Sequence, residues 1–199
     1  IKVIDTLTGF KYIGAKMDEL EDVSRQFIMG FEESCGYLAG DLARDKDAVM
    51  AAALVACAGA AAAASGSSLW QRLNELYASH GHYLERLVTV PVSAAQGPGR
   101  AMQALRSAPP ADVGGFAVIE VRDFLTGKAT SGDGARVRPI GLPTEDCIQL
   151  MLSDGGKVTL RPSGTEPKLK LYIAVRGTSQ SDAAARAESV VESTSRLLP

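Results

Sequence analysis

Two folding units of different class are predicted. Residues 1–92 read as an α/β unit with a parallel or mixed sheet and helices. Residues 93–199 read as an α+β unit, mainly antiparallel with helices on one face. Three observations carry this. The first half runs strand, helix, strand, loop, helix, helix. Composition shifts after Val90-Pro91, which puts the boundary near residues 91–99. Several alternating apolar runs then follow one another through short turns. The chain has 199 residues, 46% hydrophobic and 22% charged, which excludes a disordered tail and a miniprotein dependent on disulfides.

Lys2-Val3-Ile4 is a short apolar run suited to a buried strand, and Thr6-Leu7-Thr8-Gly9-Phe10 follows as a turn. Phe10 to Asp22 has helical spacing, with Ile13, Met17 and Leu20 along one face. Phe27-Ile28-Met29-Gly30-Phe31 is continuously apolar, as in a parallel strand covered on both faces. Ala48 to Ala64 is uncharged and mostly Ala, and its length touches the roughly 17–25 residues that span a bilayer. Ala contributes little transfer energy, and the flanks look like caps: Asp45 or Asp47 before it, Gly66 after it. A helix packed closely against a sheet is therefore expected, not a membrane span. Residues 69–78 form a further amphipathic helix, with Leu69, Leu73, Leu76 and Tyr77 on its apolar side. In the second half, residues 94–107 read as a helix ended by Ala108-Pro109-Pro110. Runs 116–121, 147–152, 157–160 and 169–175 read as strands, with a hairpin turn at Asp154-Gly155-Gly156. Residues 179–198 close the chain as a helix, with Ala184, Ala187, Val190, Val191 and Leu197 inward. Gly97-Pro98-Gly99 is the expected hinge between the units.

Net charge is −2, from 21 basic and 23 acidic residues, so no overall field draws the chain to nucleic acid or anionic membrane. Cys35, Cys57 and Cys147 are far apart and odd in number, as reduced thiols of a cytoplasmic protein are. Ile1 to Thr8 reads like the interior of a folded domain, so a piece of something longer is expected.

Chemistry concentrates in Leu160-Arg161-Pro162-Ser163-Gly164-Thr165-Glu166-Pro167-Lys168-Leu169-Lys170. A strand ends in an Arg, a tight turn sets two hydroxyls around a glycine, and the next strand opens with two lysines on one face. Gly164 allows successive amides to point into one concavity, Ser163 and Thr165 add hydroxyl donors, and Arg161 offers a planar fork. Together they suit a phosphate dianion. The plainer alternative is a hairpin turn whose hydroxyls satisfy their own backbone. A second stretch, Gly30-Phe31-Glu32-Glu33-Ser34-Cys35-Gly36-Tyr37, lies just past a strand, where open α/β sheets bind ligands. Glu32 and Ser34 can face one way, and a carboxylate beside a hydroxyl suits vicinal sugar hydroxyls. Its alternative is an exposed acidic loop.

Taken together, these stretches resemble the phosphohexomutase family of phosphoglucomutases and phosphomannomutases. The resemblance covers nearly the whole chain, as the later part of the family's third domain followed by its fourth. Thr6-Leu7-Thr8-Gly9-Phe10-Lys11 is similar to the entry of a third-domain helix, Gly30-Phe31-Glu32-Glu33-Ser34 to the sugar-recognition loop, Arg44-Asp45-Lys46-Asp47-Ala48 to the basic segment after it, and Arg161-Pro162-Ser163-Gly164-Thr165-Glu166-Pro167-Lys168 to the phosphate loop. The Phe-Glu-Glu-Ser form is most similar to the branch that includes phosphopentomutases. The resemblance implies that Glu32, Ser34 and Lys46 hold the sugar. It implies that Arg161, Ser163, Gly164 and Thr165 hold the phosphate that is not transferred. Many members carry an Arg a little further along this strand, where Tyr172 stands here, so Lys168 and Lys170 are expected to supply the charge.

The family's phosphoserine loop and three-Asp magnesium loop are not in this sequence. Ser79-His80 lacks the following Asn-Pro, and Ser131-Gly132-Asp133-Gly134-Ala135-Arg136 has one carboxylate where three are needed. No catalytic residue and no metal ligand is therefore assigned to this chain. Magnesium is expected for the complete enzyme, on a domain absent here. The expected ligands are a hexose or pentose phosphate, with inorganic phosphate or sulfate at Arg161 to Thr165. The protein's own missing N-terminal domains are the other expected partner, with neither nucleic acid nor membrane. The expected function is the substrate-binding C-terminal part of a phosphosugar mutase, inactive alone. A non-catalytic phosphosugar-binding module is the alternative from another class, and a scaffold without ligand a third.

Overall fold

The computed structural model of the chain describes residues 1–22, 25–32, 35–92, 97–163 and 166–198. It divides into two units, residues 1–75 and 76–199.

In the first unit, residues 1–7 form no regular element, and Ile1, Val3 and Ile4 are exposed, so the buried strand expected at 2–4 is not formed. Helix α1 spans Phe10–Asp22, as the spacing predicts. Its Phe10, Ile13 and Met17 pack on Leu38 to make a small core. Strands β1 (Met29–Glu32) and β2 (Gly36–Ala39) pair antiparallel, where the apolar run suggested a parallel sheet. Gly30 lets α1 close onto β1, since a Cβ there would lie 2.6 Å from Cγ2 of Ile13. Helix α2 (Ala48–Ala64) starts at Asp47, whose carboxylate accepts the N–H groups of Val49 and Met50. Gly66, at φ +71°, closes its end. The helix is not packed closely on a sheet: only Ala62 is buried, because the two-stranded ribbon covers little of a helix this long. Helix α3 (Leu69–His80) likewise buries none of its apolar side. No single helix among the described residues is long and apolar enough to cross a membrane.

The second unit is built on one antiparallel sheet. Its strands are β3 (His82–Pro91), β4 (Asp112–Val113), β5 (Phe116–Asp123), β6 (Lys128–Ser131), β7 (Val137–Pro139), β8 (Ile148–Leu152), β9 (Lys157–Pro162) and β10 (Lys168–Gly177). Their order is β3-β10-β9-β8-β5-β6-β7, with β4 on β5. The residues of β3, which the composition shift leaves with the first half, form an edge strand of this sheet. Helices α4 (Gly97–Ser107) and α5 (Gln180–Arg196) cover one face. Gly97-Pro98-Gly99, expected as a hinge, is the first turn of α4. The inward line of α5 is Ala183, Ala187, Val190 and Thr194, whereas Leu197 is its exposed C-cap. In β10, Leu169, Leu171, Ile173 and Val175 face the helices and join Val158, Leu160, Leu150 and Leu152 in the core. The alternation then points Lys168, Lys170 and Tyr172 to the other face. An α/β unit followed by an α+β unit is the fold.

Candidate functional site

Each unit carries one of the two expected clusters. In the first, Glu32 ends β1 opposite Gly36 of β2. Across that pair lies the stem of Lys46: a Cβ on Gly36 would fall 2.4 Å from Cδ of Lys46 and 3.0 Å from Cγ of Glu32. The missing side chain is what lets the two approach. The Lys46 ammonium stands 3.3 Å from Oε1 of Glu32 and 3.6 Å from Asp45, and 5.4 Å over the ring of Phe10. The hydrogen bond that Lys46 donates to Glu32 holds the Lys46 pKa above its ordinary value. The segment bearing Lys46 is clamped on both sides. Arg44 donates to Asp18 and Glu21 of α1 and to the carbonyl of Asp41, and the N–H of Asp47 donates to the carbonyl of Tyr37 at 2.9 Å. Glu32 and Lys46 are therefore brought together as one ion pair, with the carboxylate only 11% exposed. Ser34 lies outside the described residues.

In the second unit, Arg161 of β9 stands directly opposite Lys170 of β10. Both point to the face that carries no helix. The N–H of Ser163 donates to the carbonyl of Lys168 at 2.9 Å, so this amide belongs to the hairpin and not to an anion nest. Gly164 and Thr165 lie outside the described residues. Lys168 pairs with Glu166 at 3.0 Å. Arg161 is ion-paired with Glu145, in the loop before β8. Away from the turn the same face continues as a polar row. Nε2 of Gln149 donates to Thr159 at 3.0 Å, and Arg122 donates to Gln149 at 3.1 Å and pairs with Glu120.

Sequence reasoning did not find Gly36, Arg44 or Glu145. Gly36 was readable only as part of the loop, and Arg44 only as a charge. Glu145 carries no spacing signal, because strand order and not sequence distance sets it against Arg161. The two sequence look-alikes have structural roles. His80 ends α3 and His82 opens β3, stacked on Tyr77. Asp133 accepts from the Ser131 hydroxyl and the Ala135 N–H, and these bonds hold its pKa below the usual carboxylate value. A cavity of about 360 Å³ lies elsewhere in the second unit, lined by Arg106, Asp123, Lys128 and Thr130 among others, and none of the expected site residues lines it.

Two family models cover the chain. Residues 1–80 match the phosphoglucomutase/phosphomannomutase alpha/beta/alpha domain III, and residues 87–193 match the phosphoglucomutase/phosphomannomutase C-terminal domain. The chain belongs to the phosphoglucomutase/phosphomannomutase family. It is 36% identical over 174 residues to a phosphoglucomutase of Staphylococcus epidermidis, covering 86% of this chain and 32% of that protein. It is 31% identical over 190 residues to a phosphoglucomutase of Staphylococcus aureus, covering 94% of this chain and 34% of that protein. The chain thus spans about a third of the length of these relatives. Within the family's order of parts, the Glu32–Lys46 pair falls in the domain III match and the Arg161–Lys170 pair in the C-terminal match.

Proposed function

We propose that this chain is the substrate-gripping part of a phosphosugar mutase, an intramolecular phosphotransferase acting on hexose or pentose phosphates. The observation that carries the reading is the opposed pair Arg161 and Lys170, on the sheet face that carries no helix, next in sequence to Ser163-Gly164-Thr165. A guanidinium fork and an ammonium on neighbouring strands suit the two charges of a phosphate monoester. Glu32, restrained by Lys46, suits the vicinal hydroxyls of a sugar, and Ser34 joins it in this reading. In the reaction, a phosphoserine outside this chain gives its phosphoryl group to the sugar phosphate. The bisphosphate then turns round and returns its other phosphate to the serine. Arg161, Lys170, Lys168, Ser163, Gly164 and Thr165 hold the phosphate that is not moving at each stage.

The residues present do not fit the magnesium ion that the family implies. Asp133 is engaged in its own turn, and among the described residues no three donors come together. The names of the relatives support glucose phosphates as the first substrates to test. Exposed apolar side chains on α2 and α3, among them Val49, Val55, Trp70 and Leu76, support contact with further parts of the same protein. Three free cysteines support a cytoplasmic setting.

Titration of this chain with inorganic phosphate, followed by amide NMR, is expected to move the Ser163 signal and its neighbours, and Arg161→Ala to remove the response. An unchanged response in Arg161→Ala overturns the phosphate grip. Glucose 1-phosphate and magnesium added to this chain alone are expected to give no turnover, and turnover would refute the division of labour. Substrate preference is read from a panel of glucose, mannose and ribose 1-phosphates on the complete polypeptide.

A further inference from the structure

Arg161 is not a bare cation. One terminal nitrogen of its guanidinium is ion-paired with Oε1 of Glu145. Glu145 is pinned by its backbone: its N–H donates to the carbonyl of Phe124 at 3.3 Å, and its carbonyl accepts the N–H of Cys147 at 2.8 Å. Its side chain is 17% exposed and that of Arg161 36%, so water screens the pair only in part. Lys170 stands opposite Arg161, and no carboxylate pairs with it among the described residues. Like charges facing each other across strands repel. At this end of β9 and β10, two carboxylates, Glu145 and Glu166, stand with three cations, Arg161, Lys168 and Lys170. A phosphate dianion arriving there wants the same guanidinium and meets Glu145 as a like charge.

We propose that Glu145 is the exchange partner of Arg161, taking the guanidinium when the phosphate leaves and giving it up when a phosphate binds. The proposal rests on the reading of Arg161 as a phosphate ligand and adds a positioning residue to it. A guanidinium half out of water is costly to leave without an acceptor. With Glu145 at hand it is never left so, and release of phosphate is eased. This suits a site whose ligand has to let go, turn and bind again by its other end. Tight uniform binding would hold the intermediate and slow the cycle.

The test is the dissociation constant of inorganic phosphate for this chain, by calorimetry at fixed low salt. Glu145→Gln keeps the shape and removes the charge. Glu145→Ala removes the carboxylate outright, and a thermal midpoint for each variant reports whether it is folded. Both are expected to bind phosphate about three- to tenfold more tightly than the parent chain, equivalent to roughly 0.7–1.4 kcal/mol. A purely structural role for Glu145 moves the constant the other way. Weaker or unchanged binding in the folded Glu145 variants, with Arg161→Ala still abolishing binding, overturns the exchange role and leaves the phosphate grip standing. Undiminished binding in Arg161→Ala removes the grip itself, and the exchange role with it.

Discussion

Gly36 has no side chain because Lys46 lies where one would be. Gly36→Ala is expected to push the Lys46 stem aside and break its contact with Glu32, while the backbone stays intact. The measurable sign is the Lys46 titration. Glu32 is the first cause of its raised pKa, so the variant's value falls back toward the ordinary lysine value, as it does in Glu32→Gln. A group whose folded pKa is raised stabilises the fold below its unfolded pKa and loses that contribution as pH rises through the folded one. The contribution from Lys46 is therefore unchanged around neutrality and is lost in the alkaline range above ordinary lysine titration. NMR of the Lys46 side chain checks this, and an unmoved titration in both variants would show that the pair is not coupled. At this scale the site was partly legible. Glu32, Lys46, Arg161 and Lys170 announced themselves as charges in turn-rich stretches. Their partners did not, because Gly36 acts through an absent side chain and Glu145 through the neighbouring strand.

Among the elements, α5 is the one whose start is spelled most clearly in its residues. Ser179 accepts the N–H of Asp182 at 3.1 Å, and Asp182 accepts the N–H and hydroxyl of Thr178. Ser179→Ala is expected to lower stability by about 1 kcal/mol, read from urea denaturation. The backbone N–H of Thr178, and then Arg186, hold the Asp182 carboxyl down at about 2. A depressed carboxyl stabilises the fold above its unfolded pKa and loses that contribution as pH falls through the folded one. Acid unfolding of Asp182→Asn should therefore differ from the parent at neutral pH and converge with it as pH falls from about 4 to about 2. Failure of the curves to converge would reject the assignment. The strands of the 148–177 meander and the helices α1, α2 and α5 could be read from period and caps. Strand β3 could not. Leu84, Val88 and Val90 pack inward, but Tyr83 and Leu87 are apolar on the outward side, and that blurs the alternation. Helix α2 was readable as a helix and misleading as a core element, since Ala-rich composition fixes a conformation without fixing what covers it.

For the molecule as a whole, the division at residues 75 and 76 places β3 in the same unit as the phosphate-gripping hairpin. The register of β3 with β10 runs from Lys168 opposite Pro91 to Gly177 opposite His82, the full length of the strand that carries Lys170. A shortened chain starting at residue 82 is therefore expected to remain soluble and to bind phosphate as the parent does. One starting at residue 93, where the composition changes, is expected to self-associate, as light scattering would report. Equal behaviour of the two would show that β3 is dispensable. The reason lies in what β3 covers. Stripped of it, β10 would offer a row of unsatisfied amides and carbonyls to the first extended peptide it met, and the natural taker is another copy in the same condition. The short stretch after α3 thus acts as a guard rail, keeping a ligand-holding ribbon from becoming an aggregation seed.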